Sequence, residues 1–472
     1  MVPRFSIFDL YTDIPFPGGI FNEWFIKHWA LMDSLLDRNE AAGRVPLLSR
    51  LMKEADATLD VVGHPRGFHT FSDPGSLRIG RLALKGVKPV DSDKDCRLLK
   101  EAAQAHTSNG NVYDLAQGYV YRDDIMTIGD YKLSVDDFSI HAFKEDIERS
   151  GVAIYSWGSW FDGATADAVI RRFITFKNPQ LAVIGPWSHG ALFHASPYKP
   201  VGTPVDPTVK AQFLEYLKFF DQYLRNNGNG VAYEKTLMCY TLGEEKWKST
   251  VVWPPANVVV ERWFISADHM LSQNEPKEEN AADSYVVDFE ATTGKNNRWH
   301  TQLGGFAVIY PDRAEEDTRL LTYTSSPLSE DMEITGYPIV TLYVTSTATD
   351  GAFYVYLEDV DKTGKVTYIT EGQLRAIHRK VSTNPSPYKL LIPYHTSKKK
   401  DATPLALGEV AELTFGLNPT SVLIKKDHSI RIAIAGHDKD TFTRIPTDTT
   451  PTITIARNKQ YASSIDLPVI QR

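Results

Sequence analysis

The sequence predicts three regions in chain order: a mostly helical region, a parallel α/β region, and a β-sandwich or jelly roll. Apolar residues recur at helical spacing near the start of the chain. In the middle, two nearly continuous apolar runs flank an amphipathic segment. After residue 256, many short β-rich runs alternate with turn residues.

Composition limits the classes of protein that this chain can form. The 472 residues are 42% hydrophobic and 23% charged, with a formal net charge of −8. That length suits about three domains, and mild acidity argues against a basic nucleic-acid surface. The two cysteines, Cys96 and Cys239, cannot form a disulfide framework or a zinc ligand set, and we interpret them as isolated thiols. Since no apolar run reaches the length of a membrane span, we expect a soluble chain without metal, other cofactor, membrane or nucleic-acid partner. A homo-oligomer is left open.

The first region is predicted to be an irregular, mostly helical unit over residues 15–145. Apolar side chains in segment 22–37 recur at the spacing of one helix face, and they are Trp24, Phe25, Trp29, Met32, Leu35 and Leu36. A second apolar stretch, residues 45–59, precedes turn-forming residues at 63–65. The remainder mixes short apolar patches with turn signals.

The second region carries the pattern of a parallel sheet. Residues 152–157 and 181–184 are short apolar runs that end in glycine, and residues 164–176 between them are amphipathic at helical spacing. A strand–helix–strand order with apolar strands is typical of a parallel sheet that is buried on both faces. Residues 213–224 predict a further amphipathic helix.

The third region carries the pattern of an all-β domain. Residues 339–345, 352–357 and 366–370 are β-rich, and a turn at 361–364 predicts a hairpin between the second and third runs. Residues 424–435 and 451–456 continue the pattern. The sequence therefore predicts a β-sandwich or jelly roll.

Asp162 and His189 are the candidate catalytic residues. Each follows a predicted strand, and they lie 27 positions apart, which is one strand–helix–strand unit. Parallel strands carry their ligands at the carboxyl edge of the sheet, so the two side chains are expected at the same edge. An acid followed by a histidine is the chain order of an α/β-hydrolase triad after its nucleophile. The histidine would move the proton and the aspartate would hold the imidazole.

Spacing alone leaves a structural alternative open. Aspartate before glycine is a common turn former, and a histidine after a strand is commonly a loop or capping residue. The nearby indoles of Trp157, Trp160 and Trp187 fit core packing as well as a pocket wall.

Two motifs around these residues resemble a known family. Gly158-Ser-Trp-Phe-Asp-Gly163 and Gly185-Pro-Trp-Ser-His-Gly190 are similar to the acid and histidine motifs of the cocaine esterase / X-prolyl dipeptidyl-peptidase (CocE/NonD) family of serine hydrolases. Segments 219–224, 245–255 and 323–336 resemble later parts of the family in the same order.

The resemblance implies a domain plan and roles for the site residues. It implies an α/β-hydrolase domain from residues 1–14 and 146–255, a helical cap at 15–145, and a C-terminal jelly-roll β-sandwich at 256–472. It makes Asp162 the triad acid and His189 the triad base. Trp160 and Trp187 are candidates for lining an acyl pocket.

The nucleophile of that family lies in a Gly-x-Ser-x-Gly elbow. No serine before Asp162 has glycine at both −2 and +2, and Ser108 and Ser156 have it only at +2. Ser188 adjoins His189, but adjacent side chains diverge. Residues 3–14 resemble the family segment that follows the elbow helix. We therefore expect the elbow, the oxyanion donors and the first strands, roughly 100 residues or more, to lie upstream. The hydrolase sheet would then be incomplete, with an exposed apolar edge.

The expected function is hydrolysis of a small ester or amide, or of a short peptide. Acyl-ester hydrolysis and X-Pro dipeptidyl-peptidase activity both remain open, with the nucleophilic serine absent from this chain and no cofactor needed. Gly163-Ala-Thr after Asp162 counts against the α-amino-acid ester branch of the family, whose members carry acidic residues there. The alternative is a non-catalytic fragment or pseudo-enzyme that acts through its β-sandwich as a binding or partner subunit. The sequence does not indicate whether the protein is cytoplasmic or secreted.

Overall fold

The structure is a computed structural model, and it describes residues 1–39, 87–225, 235–303 and 307–471. The α-helices of these residues are α1 (Leu10–Asp13), α2 (Glu23–Asp37), α3 (Arg97–His106), α4 (Val112–Gln117), α5 (Lys144–Ser150), α6 (Thr165–Thr175) and α7 (Val209–Leu224). None of them is both long and apolar enough for a membrane crossing.

Strands dominate the second half of the described residues. In chain order the strands are β1 (Met126–Ile128), β2 (Tyr131–Leu133), β3 (Ile154–Ser159), β4 (Gln180–Gly185), β5 (Thr236–Thr241), β6 (Lys246–Thr250), β7 (Val258–Ser266), β8 (Met270–Ser272), β9 (Ala282–Val286), β10 (Leu321–Ser325), β11 (Met332–Gly336), β12 (Ile339–Ser346), β13 (Ala352–Val360), β14 (Val366–Arg375), β15 (Ala411–Gly416), β16 (Thr420–Ile424), β17 (Ser429–Ala435), β18 (Thr452–Ala456) and β19 (Ser464–Ile470).

The chain divides into two compact units. One comprises Met1–Asn22, Val120–Ile125 and Leu133–Arg472, and the other comprises Glu23–Tyr119 and Met126–Lys132. The first unit contains both large sheets and the two candidate catalytic residues.

The second unit is mostly helical. Helix α2 confirms the helix predicted over residues 22–37, and it buries Phe25, Ile26, Ala30 and Leu35. It packs on α4, where the Tyr113 hydroxyl donates to Glu23 Oε1 at 2.9 Å. The apolar stretch 45–59 and the turn formers at 63–65 lie outside the described residues. That this unit is a cap stays a prediction.

The smaller sheet of the first unit has the strand order β3-β4-β5-β6. Strands β3, β4 and β5 are parallel, and β6 pairs antiparallel with β5. Helix α6 connects β3 to β4, and every residue of β3 is buried. The predicted strand–helix–strand unit and its buried strands are therefore confirmed. A strand that is apolar throughout can be covered on both faces, which is why its sequence does not alternate.

Residues 1–5 occupy the free edge of β3. The Tyr155 amide donates to the Met1 carbonyl at 2.9 Å, and the Trp157 amide donates to the Pro3 carbonyl at 3.0 Å. The Phe5 amide returns a bond of 2.7 Å to the Trp157 carbonyl. The edge of β3, which we expected to be exposed, is therefore paired by this segment.

Helix α7 begins four residues earlier than the predicted helix, because the Thr208 side chain accepts from the Ala211 amide and caps it. Its buried residues are Gln212, Tyr216 and Phe219.

The larger sheet has 13 strands within the described ranges, and its main path runs β14-β13-β17-β10-β8-β7-β19-β12-β18-β9. Strands β13 and β14 form the predicted antiparallel hairpin. The β-rich runs predicted at 339–345 and 451–456 are β12 and β18. The run predicted over 424–435 is divided, because β16 ends at Ile424 and β17 begins at Ser429. A sheet-rich C-terminal region is therefore present, and its buried aliphatic and aromatic side chains belong to a hydrophobic cluster that also includes residues of the smaller sheet and of α6.

Both cysteines are free thiols, as predicted.

Candidate active site

The carboxyl ends of β3 and β4 bring Asp162 and His189 together. The two strands are parallel neighbours whose last paired residues are Ser159 and Gly185. Each candidate residue follows its strand by three or four positions. His189 Nδ1 lies 3.1 Å from Oδ2 and 3.2 Å from Oδ1 of Asp162. The structure thus joins the two predicted residues in a hydrogen-bonded pair.

Asp162 is fully buried at the start of helix α6. The Thr165 hydroxyl donates to Asp162 Oδ2 at 3.2 Å, and the Thr165 amide donates to the Asp162 carbonyl at 3.0 Å. The carboxylate therefore has two partners, Thr165 and His189. A buried carboxylate needs such donors because water no longer solvates it.

Ser159 ties the aspartate turn to the histidine turn. Its hydroxyl oxygen accepts from the amides of Phe161 and Trp187, each at 3.0 Å. The same hydroxyl donates to the carbonyl of Trp187. One short side chain thereby fixes the distance between the two strand ends that carry Asp162 and His189.

His189 presents its far nitrogen outward. Its side chain is 39% exposed, and Nε2 makes no hydrogen bond to any residue in the described part of the chain. The Phe5 ring lies 5.5 Å from the imidazole, and Nη2 of Arg4 donates to the Gly190 carbonyl at 2.8 Å. Residues 1–5 therefore support the histidine loop as well as the sheet edge.

The aspartate stabilises the charged imidazole. Burial alone lowers the pKa of His189, but the charge of Asp162 and its hydrogen bond outweigh burial and raise that pKa above its usual value. Arg4 opposes this rise weakly. An imidazole held in this way has a fixed Nδ1–H, which leaves Nε2 as the proton acceptor.

The turn after Asp162 is fixed from the C-terminal region. Gly163 donates from its amide to the Arg298 carbonyl at 2.9 Å, and Arg298 Nε donates to the Gly163 carbonyl at 2.8 Å. Gly163 has φ of +48°, a conformation that favours glycine.

Trp160 and Trp187, which the sequence suggests as pocket residues, are buried to 1% and 0% exposure. Trp160 Nε1 donates to the Tyr240 carbonyl, and Trp187 Nε1 donates to the Asp206 carbonyl. Their part in an acyl pocket stays a prediction.

No serine among the described residues hydrogen-bonds to His189. Ser156 and Ser188 have buried hydroxyls without a hydrogen-bond partner, and Ser159 is engaged by its three backbone bonds.

Sequence reasoning missed Ser159, Thr165, Arg4 and Arg298. A polar residue at the end of an apolar run could have indicated Ser159, and a threonine at a helix start could have indicated Thr165. The contacts of Arg4 and Arg298 with this site span more than 100 residues, so no local pattern signals them.

A second titratable cluster lies apart from this pair. Asp9, Asp136 and His141 place ligand atoms within 4.8 Å of one another. Arg122 already bonds Asp9 Oδ2 at 2.8 Å and Asp136 Oδ1 at 2.6 Å. A guanidinium that pairs with both carboxylates takes the place of a cation, so we interpret this cluster as an ion-pair network.

Comparison with known proteins adds a family to this geometry. Residues 229–466 match the X-Pro dipeptidyl-peptidase C-terminal non-catalytic domain. A Mycobacterium bovis protein named as a serine esterase is 40% identical over 489 aligned residues, covering 100% of this chain and 72% of that protein. Cocaine esterase of Rhodococcus is 22% identical over 338 residues, covering 66% of this chain and 55% of that protein.

Solved structures agree in fold. An aminopeptidase from a marine sediment Thaumarchaeota archaeon has a TM-score of 0.63 at 16% identity, covering 100% of this chain and 72% of that chain. A CocE/NonD family hydrolase from Staphylococcus aureus also has a TM-score of 0.63, at 13% identity, covering 100% of this chain and 67% of that chain.

Proposed function

Because the chain belongs to the CocE/NonD family of hydrolases with an X-Pro dipeptidyl-peptidase C-terminal domain, we propose that it carries the acid–base half of a serine esterase active site. The single observation that carries the proposal is the contact between Asp162 and His189 Nδ1 at 3.1 Å, with Nε2 directed away from the carboxylate. We take the smaller sheet as the C-terminal part of an α/β-hydrolase sheet, and the larger one as a jelly roll.

In this proposal His189 moves one proton in each half-reaction. Nε2 accepts the proton of a serine hydroxyl while the serine oxygen attacks the ester carbonyl, and then gives it to the departing alcohol. A water molecule repeats the sequence on the acyl-enzyme and releases the acid. Asp162 keeps the proton on Nδ1 and stabilises the imidazolium between the two transfers.

In this proposal, the nucleophilic serine and the oxyanion donors belong to residues outside this sequence. No serine before Asp162 lies in a Gly-x-Ser-x-Gly motif. Among the described residues, no serine bonds to His189. The residues described here would then supply proton transfer, and a separate segment would supply attack and oxyanion stabilisation.

An ester is the preferred substrate class because the M. bovis and Rhodococcus relatives are both named as esterases. Gly163-Ala-Thr after Asp162 offers no carboxylate for a substrate ammonium group, which argues against α-amino-acid esters. X-Pro dipeptides are the second class to test, because the C-terminal domain match carries that name.

The test compares two proteins with a fluorophosphonate probe, which labels activated serines. One is this chain, and the other is the product of the reading frame with its upstream coding flank. We expect labelling and hydrolysis of p-nitrophenyl butyrate only in the second, and loss of both in its His189→Ala variant. Faster cleavage of Gly-Pro-p-nitroanilide would move the substrate to the X-Pro class.

Two results would contradict the proposal. Labelling of this chain that disappears in His189→Ala would show that the nucleophile lies within it. Unchanged hydrolysis by the His189→Ala variant of the longer protein would remove His189 from the mechanism and favour the non-catalytic alternative.

A further inference from the structure

A loop of the C-terminal region reaches the turn that carries Asp162. Residues 296–302 form this loop, and Arg298 within it contacts Gly163 by two hydrogen bonds of 2.8 and 2.9 Å in opposite directions. Both polar backbone groups of the residue after Asp162 are therefore bonded to one residue that lies 135 positions later in the sequence.

The same loop fills the space beside Gly163. A Cβ atom on Gly163 would lie 2.1 Å from Nε2 of Gln302, which is far inside contact distance. On the other side of Asp162, the Phe161 ring contacts the rings of Tyr310 and Tyr368, at 6.1 and 6.5 Å between centroids. The turn is thus enclosed by side chains from the C-terminal region on both sides of Asp162.

The loop is itself held rigidly. Asn297 Oδ1 accepts from the amides of Trp299 and His300 at 2.9 and 3.0 Å. Asn297 Nδ2 donates to the hydroxyls of Thr293 and Thr441 at 3.0 and 2.8 Å. Because these bonds hold the loop in one conformation, it can hold the backbone of Gly163 in one position.

Arg298 carries a charged side chain that is completely buried. It has no exposed surface; burial alone lowers its pKa, but Tyr368, Tyr310 and the buried Glu371 carboxylate outweigh burial and raise that pKa above its ordinary value. Removing one partner of a buried charge leaves the other uncompensated and is destabilising, so Arg298 also contributes to stability. Its charge offsets that of Glu371, and its Nε makes the directed bond to the Gly163 carbonyl through which it can position the turn.

We propose that Arg298 is a positioning residue, through which the loop 296–302 sets the orientation of Asp162 toward His189. The inference rests on the proposed function, because it assigns the loop a part in the acid–base pair. The contacts of Arg298 at this turn are with the backbone of Gly163, so in this proposal it acts through that backbone.

The test measures the titration of His189 by NMR in this chain. Asp162→Asn defines the full effect of losing the carboxylate. We expect Arg298→Met to lower the pKa of His189 by at least half as much as Asp162→Asn does. Arg298→Lys, which keeps one donor for the Gly163 carbonyl, should restore most of it. A folded Arg298→Met variant with the wild-type titration would overturn the proposal.

A pair of glycine variants covers the case in which Arg298→Met does not fold. Gly163→Ala would push against Gln302, whereas Gly294, also at positive φ (+80°), has nothing within 4 Å of an added Cβ. We expect Gly163→Ala to lower the pKa of His189 and Gly294→Ala to leave it unchanged. If both variants kept the wild-type pKa of His189, positioning by the loop would be refuted.

The readout separates this inference from the proposed function. The titration requires no hydrolysis, so it reports the Asp162–His189 geometry even if the longer protein proves inactive. In an active enzyme we expect Arg298→Met to lower kcat about 100-fold with little change in KM, as small misplacements of catalytic groups do.

Discussion

The Asp162–His189 pair has a counterpart in the C-terminal region, where His428 Nδ1 lies 2.8 Å from Oδ1 of Asp359. Both aspartates are almost completely buried, at 0% and 2% exposure, and both histidines are partly exposed. Distance and burial alone therefore do not distinguish the two pairs.

The surroundings do distinguish them. The second oxygen of Asp359 accepts from the Tyr198 hydroxyl at 3.1 Å. Burial raises the pKa of Asp359 and outweighs the opposing hydrogen bonds from His428 and Tyr198. In the other pair, Asp162 raises the pKa of His189. The Asp162–His189 pair thus favours a charged imidazole, whereas in the Asp359–His428 pair burial disfavours the charged carboxylate.

Backbone position adds to the difference. His428 lies in the turn between β16 and β17, with its amide bonded to the Lys425 carbonyl and its carbonyl bonded to the Leu328 amide. His189 follows a parallel strand, at the sheet edge where α/β proteins bind ligands. An aspartate–histidine contact therefore indicates a catalytic pair only when its position in the fold, such as the end of a parallel strand, also fits.

The largest effect should come from removing the histidines. In the longer protein, which includes the upstream coding flank, we expect His189→Ala to reduce kcat/KM for an aryl ester by at least about 10⁴-fold. His428→Ala is the matched control, and it should stay within about threefold, because His428 is paired with Asp359 rather than with Asp162. Equal losses in the two variants would erase the distinction drawn between the pairs.

A smaller loss is expected from the aspartates. Asp162→Asn keeps the shape but removes the charge, so kcat should fall about 10⁴-fold or somewhat less. The pKa of His189, followed by NMR, should fall as well. Asp359→Asn should leave the His189 titration unchanged, and a shift there would mean that the two pairs are coupled.

The serine that joins the two strand ends gives a stability test. Ser159→Ala removes the partner of three backbone groups, and we expect a loss of about 1–3 kcal/mol in the free energy of unfolding. Urea denaturation measures it. Ser156→Ala is the matched control, because the buried Ser156 hydroxyl has no hydrogen-bond partner among the residues that the structure describes. A larger loss in that control would contradict the role given to Ser159.

The smallest effect concerns pH. The pKa of His189 is higher in the folded chain than in the unfolded one. The stability it contributes is therefore fully present below the unfolded pKa and is lost as the pH rises through the folded pKa. Because the side chain is 39% exposed, solvent screening keeps this contribution below about 1 kcal/mol. His189→Ala should abolish it in unfolding curves recorded at pH 5.5 and 9, and a contribution that grows with pH would contradict the assignment.

Local patterns predicted what depends on local sequence. The apolar runs that became β3 and β4 located Asp162 and His189, because a parallel strand ends where its apolar run ends. The hairpin between β13 and β14 followed from its turn residues.

Long-range contacts were beyond the sequence. Residues 1–5 carry no strand pattern of their own, so their pairing with the edge of β3 is visible only in the fold. Arg298 reads as an ordinary charged residue until the fold places it against Gly163. The sequence could not show whether Trp160 and Trp187 belong to the core or to a pocket, because aromatic residues occur in both.

The bond between Arg298 and Gly163 also bears on the order of events during synthesis. The two residues are 135 positions apart, and a ribosome adds about 5–20 residues per second. The aspartate turn therefore waits roughly 7–27 s for its support to be translated, longer than most helices and hairpins take to form. Under the positioning role proposed for Arg298, a nascent chain would hold both Asp162 and His189 before it could hold them in their final geometry. We therefore expect completion of the pair to be a late step, coupled to folding of the C-terminal sheet.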